Sequence, residues 1–374
     1  MNQLFSPGQI GALALPNRLV RSATAERMAD IDGRPRPQLK TLFQELARGG
    51  VGLIITGHMY VHPSGKAHTE MTGAYSDDLL PGLAELAEIV HNESGLVAIQ
   101  INHGGMQCHK NAVTGAMAPS AIEAPFLTQP AREMTTAEIS MLIQAYGQAA
   151  RRCKQAGFDG VQIHGAHSYL INQFLSPYTN RRSDYWGGTL ERRMNFLRAV
   201  CESVRDQVGS GYPVFIKLGM FDAVEGGLTV EESLQVVAAL EEMGLDAVEI
   251  SSGISGGKSI SSRKGIRSRE DEAYFLPLAQ QARQVTRLPI ILVGGFRSRL
   301  VMEEVLAAGA ADFIALCRPL ITEPDFPNRM RLGLQNCSRC ISSTNCYPTQ
   351  EGEGIACKCP LDKKETTDTQ VDTD

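Results

Sequence analysis

No stretch of the 374-residue chain approaches the roughly 20 apolar residues of a membrane-spanning helix. Met1–Gly11 has neither the basic start nor the apolar core of a secretory signal. Positive charge is not in excess: 36 Lys and Arg against 41 Asp and Glu leave a formal net charge of −5, so neither nucleic acid nor an anionic membrane is expected as a partner. The composition is not that of a disordered chain, because 43% hydrophobic against 21% charged residues is enough for a sizeable core. The motif G-x-G-x-x-G occurs nowhere, so a dedicated dinucleotide-binding domain is not expected. The nine cysteines are odd in number, which argues against a secreted disulfide framework. Five of them, Cys337, Cys340, Cys346, Cys357 and Cys359, crowd the C-terminus. A cytoplasmic protein with an unusual C-terminal end is expected.

What is present is an alternation. Short runs rich in Val, Ile and Leu fall at Asn17–Ala25, Val51–His58, Leu96–His103, Gly160–His164, Pro213–Leu218, Ala247–Ser251, Pro289–Gly295 and Phe313–Arg318. They lack clean alternation, as expected of parallel strands buried on both faces. Amphipathic stretches lie between them, at Pro37–Arg48, Asp77–Asn92, Thr136–Ala156, Leu190–Gln207, Val230–Met243, Asp271–Thr286, Arg299–Ala308 and Asp325–Leu334. Gly49, Gly157, Gly209, Gly244 and Gly309 suit helix C-termini. Eight βα units over 17–334 predict an α/β fold, a (β/α)8 TIM barrel. A doubly wound sheet is the alternative, but no switch point marks it.

Active sites of such barrels lie at the C-terminal ends of the strands, and polar residues gather there: Ser22, Ala23, Thr24, Ala25 and Glu26; Gly57 and His58; Gln100, Asn102 and His103; Lys217; Ser251 and Ser252; Gly294 and Gly295; Cys317 and Arg318. The richest segment is Ile163–Arg193, with His164, His167 and Tyr169 close together. Two imidazoles can jointly donate to one oxygen and polarise a carbonyl, and a tyrosine hydroxyl can deliver a proton. A metal pair or satisfied core histidines are the alternatives. Lys217, taken by itself, is also a candidate Schiff-base nucleophile of a lyase or isomerase.

Several motifs occur in one order: PNRLVRSAT, GVGLIITG, Gln100, HGAHSYLINQFLSPYTNRRSDYWGG, VGGF and ALCRPLI. With them, residues 3–334 resemble the old yellow enzyme family of flavin-dependent ene-reductases, and most closely the branch that includes 2,4-dienoyl-CoA reductase. The resemblance implies FMN held non-covalently at the barrel mouth and NAD(P)H as co-substrate. Ser22, Ala23 and Thr24 would line the flavin. Gly57 would let it approach, Gln100 would bond its pyrimidine edge, and Lys217 would stabilise charge on it. Gly294, Gly295, Cys317 and Arg318 would hold the phosphate. His164 and His167 would grip the oxygen of an α,β-unsaturated carbonyl substrate, and Tyr169 would protonate its α-carbon. Two departures stand out. Ala25 replaces the Thr, Cys or Trp of relatives, and no His follows the sixth strand within Ser252–Lys258, so dienoyl-CoA specificity is not assigned.

Larger relatives carry a [4Fe–4S] cluster after the barrel and further flavodoxin-like and nucleotide-binding domains. Here Cys337, Cys340, Cys346 and Cys357 approximate the ligand spacing, with Ser343 where another registration would place a thiolate. An iron–sulfur cluster, zinc, and a metal-free cover for the barrel all remain open. The expected organisation is a flavin barrel over 1–334, a cysteine-rich extension over 335–360 and a disordered acidic tail over 361–374, in a homo-oligomer. A non-catalytic flavin or Fe–S electron-transfer subunit is the remaining alternative.

Overall fold

The structure, a computed structural model, describes residues 3–254, 261–350 and 352–358. The expected tail, Cys359 and part of the loop after Ser252 lie outside the described residues.

A short antiparallel hairpin opens the chain, β1 (Gly8–Ile10) and β2 (Leu13–Leu15). The barrel strands follow: β3 (Leu19–Arg21), β4 (Leu53–Tyr60), β5 (Val97–Asn102) and, after a small pair β6 (Met117–Ala118) and β7 (Arg132–Glu133), β8 (Gly160–Gly165), β9 (Val214–Gly219), β10 (Val248–Ser251), β11 (Ile290–Val293) and β12 (Phe313–Leu316). All eight pair in parallel with their sequence neighbours, and Ile314↔Leu19 pairing closes the ring. The expected (β/α)8 barrel is what forms, and closure excludes the doubly wound sheet. Each expected strand run overlaps its strand, though the first shrinks to three residues and β4, β8 and β9 extend past the expected ends, to Tyr60, Gly165 and Gly219.

The helices are α1 (Pro37–Arg48), α2 (Leu80–Asn92), α3 (Thr136–Gln155), α4 (Leu170–Leu175), α5 (Leu190–Arg193), α6 (Asn195–Val208), α7 (Val230–Ala239), α8 (Leu276–Arg283), α9 (Arg299–Ala307), α10 (Arg318–Thr322) and α11 (Phe326–Arg331). Capping boxes start two of them, Thr135 with Glu138 at α3 and Thr229 with Glu232 at α7. The expected helix at 190–207 divides at Met194, and the one expected at 271–286 begins only at Leu276. After α1 the left-handed residue is Gly50 (φ 84°), not the expected Gly49 (φ −68°).

The barrel interior is layered. Inward-facing residues alternate along a strand. At the lower end Val20, Ile55, Ala98, Phe215, Ala247, Ile291 and Phe313 form one apolar cluster, with Ile10 and Leu15 of the hairpin packed against it. Two residues further along four of those strands come Ser22, Gln100, Lys217 and Glu249, and Gln162 of β8 joins them. All five side chains are buried. The period of two that builds the floor therefore also builds a polar layer above it.

Candidate active site

The polar layer is one connected hydrogen-bond network. The Lys217 ammonium lies 2.9 Å from Glu249 Oε1 and donates to Ser22 Oγ at 2.8 Å. Ser22 Oγ donates to the same carboxylate oxygen at 2.6 Å. Gln162 Nε2 donates to Glu249 Oε2 at 2.8 Å, and Gln100 Nε2 donates to Gln162 Oε1 at 2.6 Å. Glu249 is fully buried and accepts from three side chains, which is what a charge out of water needs. Lys217 thus has an anionic partner. The Schiff-base reading requires an ammonium desolvated without one, so this geometry counts against it. Glu249 and Gln162 escaped the sequence reading, although a lone charge in the otherwise apolar run Ala247–Ser251 was the signal.

Above this layer a cavity of about 410 Å³ opens at the strand ends, within the range of small-molecule sites. Ser22, Ala23, Thr24, Gln100, His164, His167, Tyr169, Lys217, Gly295, Cys317 and Arg318 all line it, so the fold brings most of the expected site together. Thr24 Oγ1 and Cys317 Sγ share a hydrogen bond at 2.9 Å. Arg318 opens α10 and donates to the Arg263 and Ser342 carbonyls. A larger recess of about 1220 Å³ lies on the flank around α9, away from the strand ends. Its Glu272 carboxylate is already taken by the Arg297 and Ser298 amides and the Ser298 hydroxyl.

Two expected positions differ. Gly57 does not line the cavity; a Cβ there would lie 1.8 Å from Glu26 Oε2 and 2.3 Å from the Thr24 carbonyl. Its bare backbone makes room for Glu26, which accepts from Gly57 N and pairs with Arg21 at 2.8 Å. Gly294 stands behind the wall, where a Cβ would press on the backbone of Tyr274 and Phe275. Gly295, at φ 78°, is the one that lines the cavity.

The catalytic candidates converge. The His164 and His167 rings lie edge to face, 5.4 Å between centroids, and the Tyr169 ring is 4.7 Å from His164. His167 and Ser168 both adopt left-handed backbone (φ 60° and 63°), a conformation costly for residues with a Cβ. Asn172 at the start of α4 holds the turn by accepting from Ser168 N, and Gln173 donates to the Ser168 carbonyl. His164 Nδ1 accepts from Ala166 N at 3.4 Å, which leaves the proton on Nε2. His167 Nε2 pairs with Ser251 Oγ at 2.7 Å. Burial, reinforced by neighbouring positive charge, holds His167 down at about 3 and His164 well below the ordinary imidazole value. Both are neutral donors near pH 7. Burial raises the Tyr169 phenol far above its usual value, with Tyr347 next in effect, so it stays protonated.

His58 also lines the cavity, 4.8 Å ring to ring from Tyr169. Its aim follows from a β-bulge: the β4–β5 register shifts between Ile55 and His58, and Asn102 shares a 2.8 Å hydrogen bond with its Nδ1. A bulge leaves no mark in composition, which is why His58 was read only as a strand end.

Among the described residues no three His, Cys, Asp or Glu side chains are grouped to hold a metal ion, Cys337, Cys340, Cys346 and Cys357 included. The chain uses this segment otherwise. Cys337 bridges to Ser298 and Cys340 Sγ accepts from Ser342 N, while Ser342 O accepts from Gly265 N and Arg318. Ser342 and Tyr347 then line the cavity mouth. None of the eight described cysteines is in a disulfide bond. No helix among the described residues is long and apolar enough to cross a membrane.

Comparison with known proteins agrees with this geometry. The chain is 37% identical over 363 residues to an NADH oxidase of Thermoanaerobacter brockii, covering 96% of itself but only 55% of that protein. It is 37% identical over 326 residues to an NADPH dehydrogenase of Geobacillus sp. (strain WCH70), covering 87% of itself and 92% of the relative. Its fold matches morphinone reductase in complex with tetrahydroNAD with a TM-score of 0.78 at 28% identity, over 91% of this chain and 94% of that one. The sequence profile of the NADH:flavin oxidoreductase / NADH oxidase family matches residues 3–336. The chain therefore belongs to that family, the old yellow enzymes, whose members are oxidoreductases that use FMN and NAD(P)H.

Proposed function

We propose that this protein is a cytoplasmic FMN-dependent NAD(P)H oxidoreductase that reduces activated C=C bonds of α,β-unsaturated carbonyl compounds at the barrel mouth. The observation that carries the reading is the convergence of two neutral imidazoles and a protonated phenol above the polar layer.

The donor set fits FMN. Gln100 gives its Nε2 to Gln162 and keeps a carbonyl oxygen for an imide N–H. Lys217, held by Glu249, offers a fixed cation to a ring oxygen. Gly295 and Arg318 offer an amide and a guanidinium to a phosphate. When bound, FMN supplies the acceptance of hydride from NAD(P)H and its delivery to the substrate β-carbon.

The chain does the rest. His164 Nε2–H and one N–H of His167 donate to the substrate carbonyl oxygen, drawing electron density from the double bond. Because both rings are neutral, they polarise without giving up a proton. Ser251, donating to His167 Nε2, would leave Nδ1–H free for the substrate. Tyr169 O–H passes its proton to the α-carbon, and the phenol is restored from solvent through the open mouth. Ala25, with no polar group, leaves that side of the cavity wide.

The test is a spectrum and a turnover. Protein incubated with FMN and desalted should retain about one flavin per chain, bleach with NAD(P)H and regain colour with 2-cyclohexenone. Failure to retain flavin, or bleaching without recovery, would overturn the proposal.

A further inference from the structure

Behind the part of the cavity wall formed by His58 and Tyr347, polar atoms are left without partners. Both ring nitrogens of His68 and the Nε of Arg27 are buried without a hydrogen-bond partner. Arg27 follows Glu26 in sequence, but Glu26 is taken by Arg21 and the Gly57 amide. Among the described residues Arg27 makes no ion pair. Its guanidinium lies instead over the Tyr347 ring, 4.9 Å from the centroid, and Tyr347 lines the cavity mouth. Arg27 is held there at φ 54°, a left-handed conformation that disfavours a residue with a Cβ.

The surroundings are short of anions. His68 stands 5.8 Å ring to ring from His58, which lines the cavity beside Tyr169. Nearby Glu70 is committed to Arg36 and the Gly352 amide, and the Lys66 ammonium donates to the Ile31 carbonyl. The Arg27 charge reaches the catalytic group: after burial, it adds to the depression of His58 and His68 and opposes the rise of Tyr169. A cation kept against Tyr347 of the cavity wall in an unfavourable backbone conformation, with no ion pair among the described residues and a nearby imidazole left unpartnered, is suited to a charge that arrives with a ligand.

We propose that Arg27, with His68 beside it, forms a subsite for a carboxylate on the substrate, so that the preferred acceptor is an α,β-unsaturated carbonyl compound that also carries an acid group. This rests on the ene-reductase reading for where the carbonyl sits. A phosphate of NAD(P)H is the other anion that could meet Arg27. Tyr347, which Arg27 covers, lines the same cavity as His58 and Tyr169, and this favours a ligand seated in that cavity.

The experiment is calorimetric titration of the FMN-loaded protein with trans-4-oxopent-2-enoate and with its methyl ester. The acid should bind about 10- to 100-fold more tightly, the worth of a charge-assisted hydrogen bond to a partly buried guanidinium. Arg27→Met should reduce that preference to about threefold or less, and Arg27→Lys should retain part of it because the charge remains. Circular dichroism and flavin content identify any variant that has not folded, and the wild-type acid-to-ester ratio stands regardless. Equal binding of acid and ester by the wild type overturns the proposal, as does a preference that survives in Arg27→Met. So does an Arg27→Met effect confined to NADPH relative to NADH. If neither ligand is reduced on addition of NAD(P)H, the ene-reductase reading fails, while the binding ratio still decides the subsite.

Discussion

The two ends of the barrel interior are built by the same strands and solve opposite problems. At the floor, Phe215, Ala247, Ile291 and Phe313 fill the space with apolar side chains and the hairpin β1–β2 seals it. Two residues higher, Lys217 and Glu249 replace Phe215 and Ala247 on the same strands, and every polar atom of that pair finds a partner. Higher again, around Arg27 and His68, the pairing stops. The order from packed, to polar and satisfied, to polar and unsatisfied follows the path from scaffold to ligand. It separates groups that hold the fold from groups that wait for chemistry.

Substitutions at the two levels should differ in kind. Phe313→Ala at the floor should cost about 3–5 kcal/mol of stability through cavity formation while FMN affinity changes little. Glu249→Ala should cost a similar 3–5 kcal/mol, because it strands a buried ammonium, and should also abolish tight FMN binding. Urea unfolding followed by flavin titration reads both, and equal flavin loss in the two variants would break the distinction.

Acid should act through the buried histidines. Burial holds His58 at about 4 and His103 and His167 at about 3. Their folded values lie below the ordinary value of about 6.5, so their neutral forms favour folding fully above that pH and the contribution is lost as pH falls toward 3–4. At pH 5 each should cost about 2 kcal/mol. Urea midpoints should therefore fall steeply from pH 6.5 to 5, and His58→Gln should remove its share of that slope. A flat profile would mean the histidines are not held neutral.

The smallest effect is expected at the exposed extension. Cys337→Ser should change stability by no more than about 0.5 kcal/mol, with iron and acid-labile sulfide near zero in both proteins. Stoichiometric iron that disappears in the variant would show a cluster on these cysteines.

The scaffold was legible because parallel strands buried on both faces must be apolar and separated by helices, and all eight runs overlap their strands. The site was legible where function lies in side chains at strand ends, as with His164, His167, Tyr169 and Lys217. It was not legible where backbone geometry decides. The bulge before His58 turns an ordinary strand residue into the cavity, and the bare backbone of Gly57 makes room for the Glu26 carboxylate. Glu249 was visible in principle, as a carboxylate in a run that must be buried and therefore must have a partner. The cysteine spacing left three readings open because spacing constrains ligation only when the intervening loop can fold around a metal, and here Ser342 of that loop bonds Arg318 and Gly265.

The central claim is that the group on the loop after β8 acts on the substrate and not on the flavin's reduction. Rapid-mixing kinetics of Tyr169→Phe, with the two half-reactions measured separately, test it most directly. Reduction by NAD(P)H should stay within about threefold of wild type while reoxidation by 2-cyclohexenone slows by about 10²–10⁴-fold, the range for loss of a positioned proton donor. Equal slowing of both half-reactions, or of neither, would contradict the account.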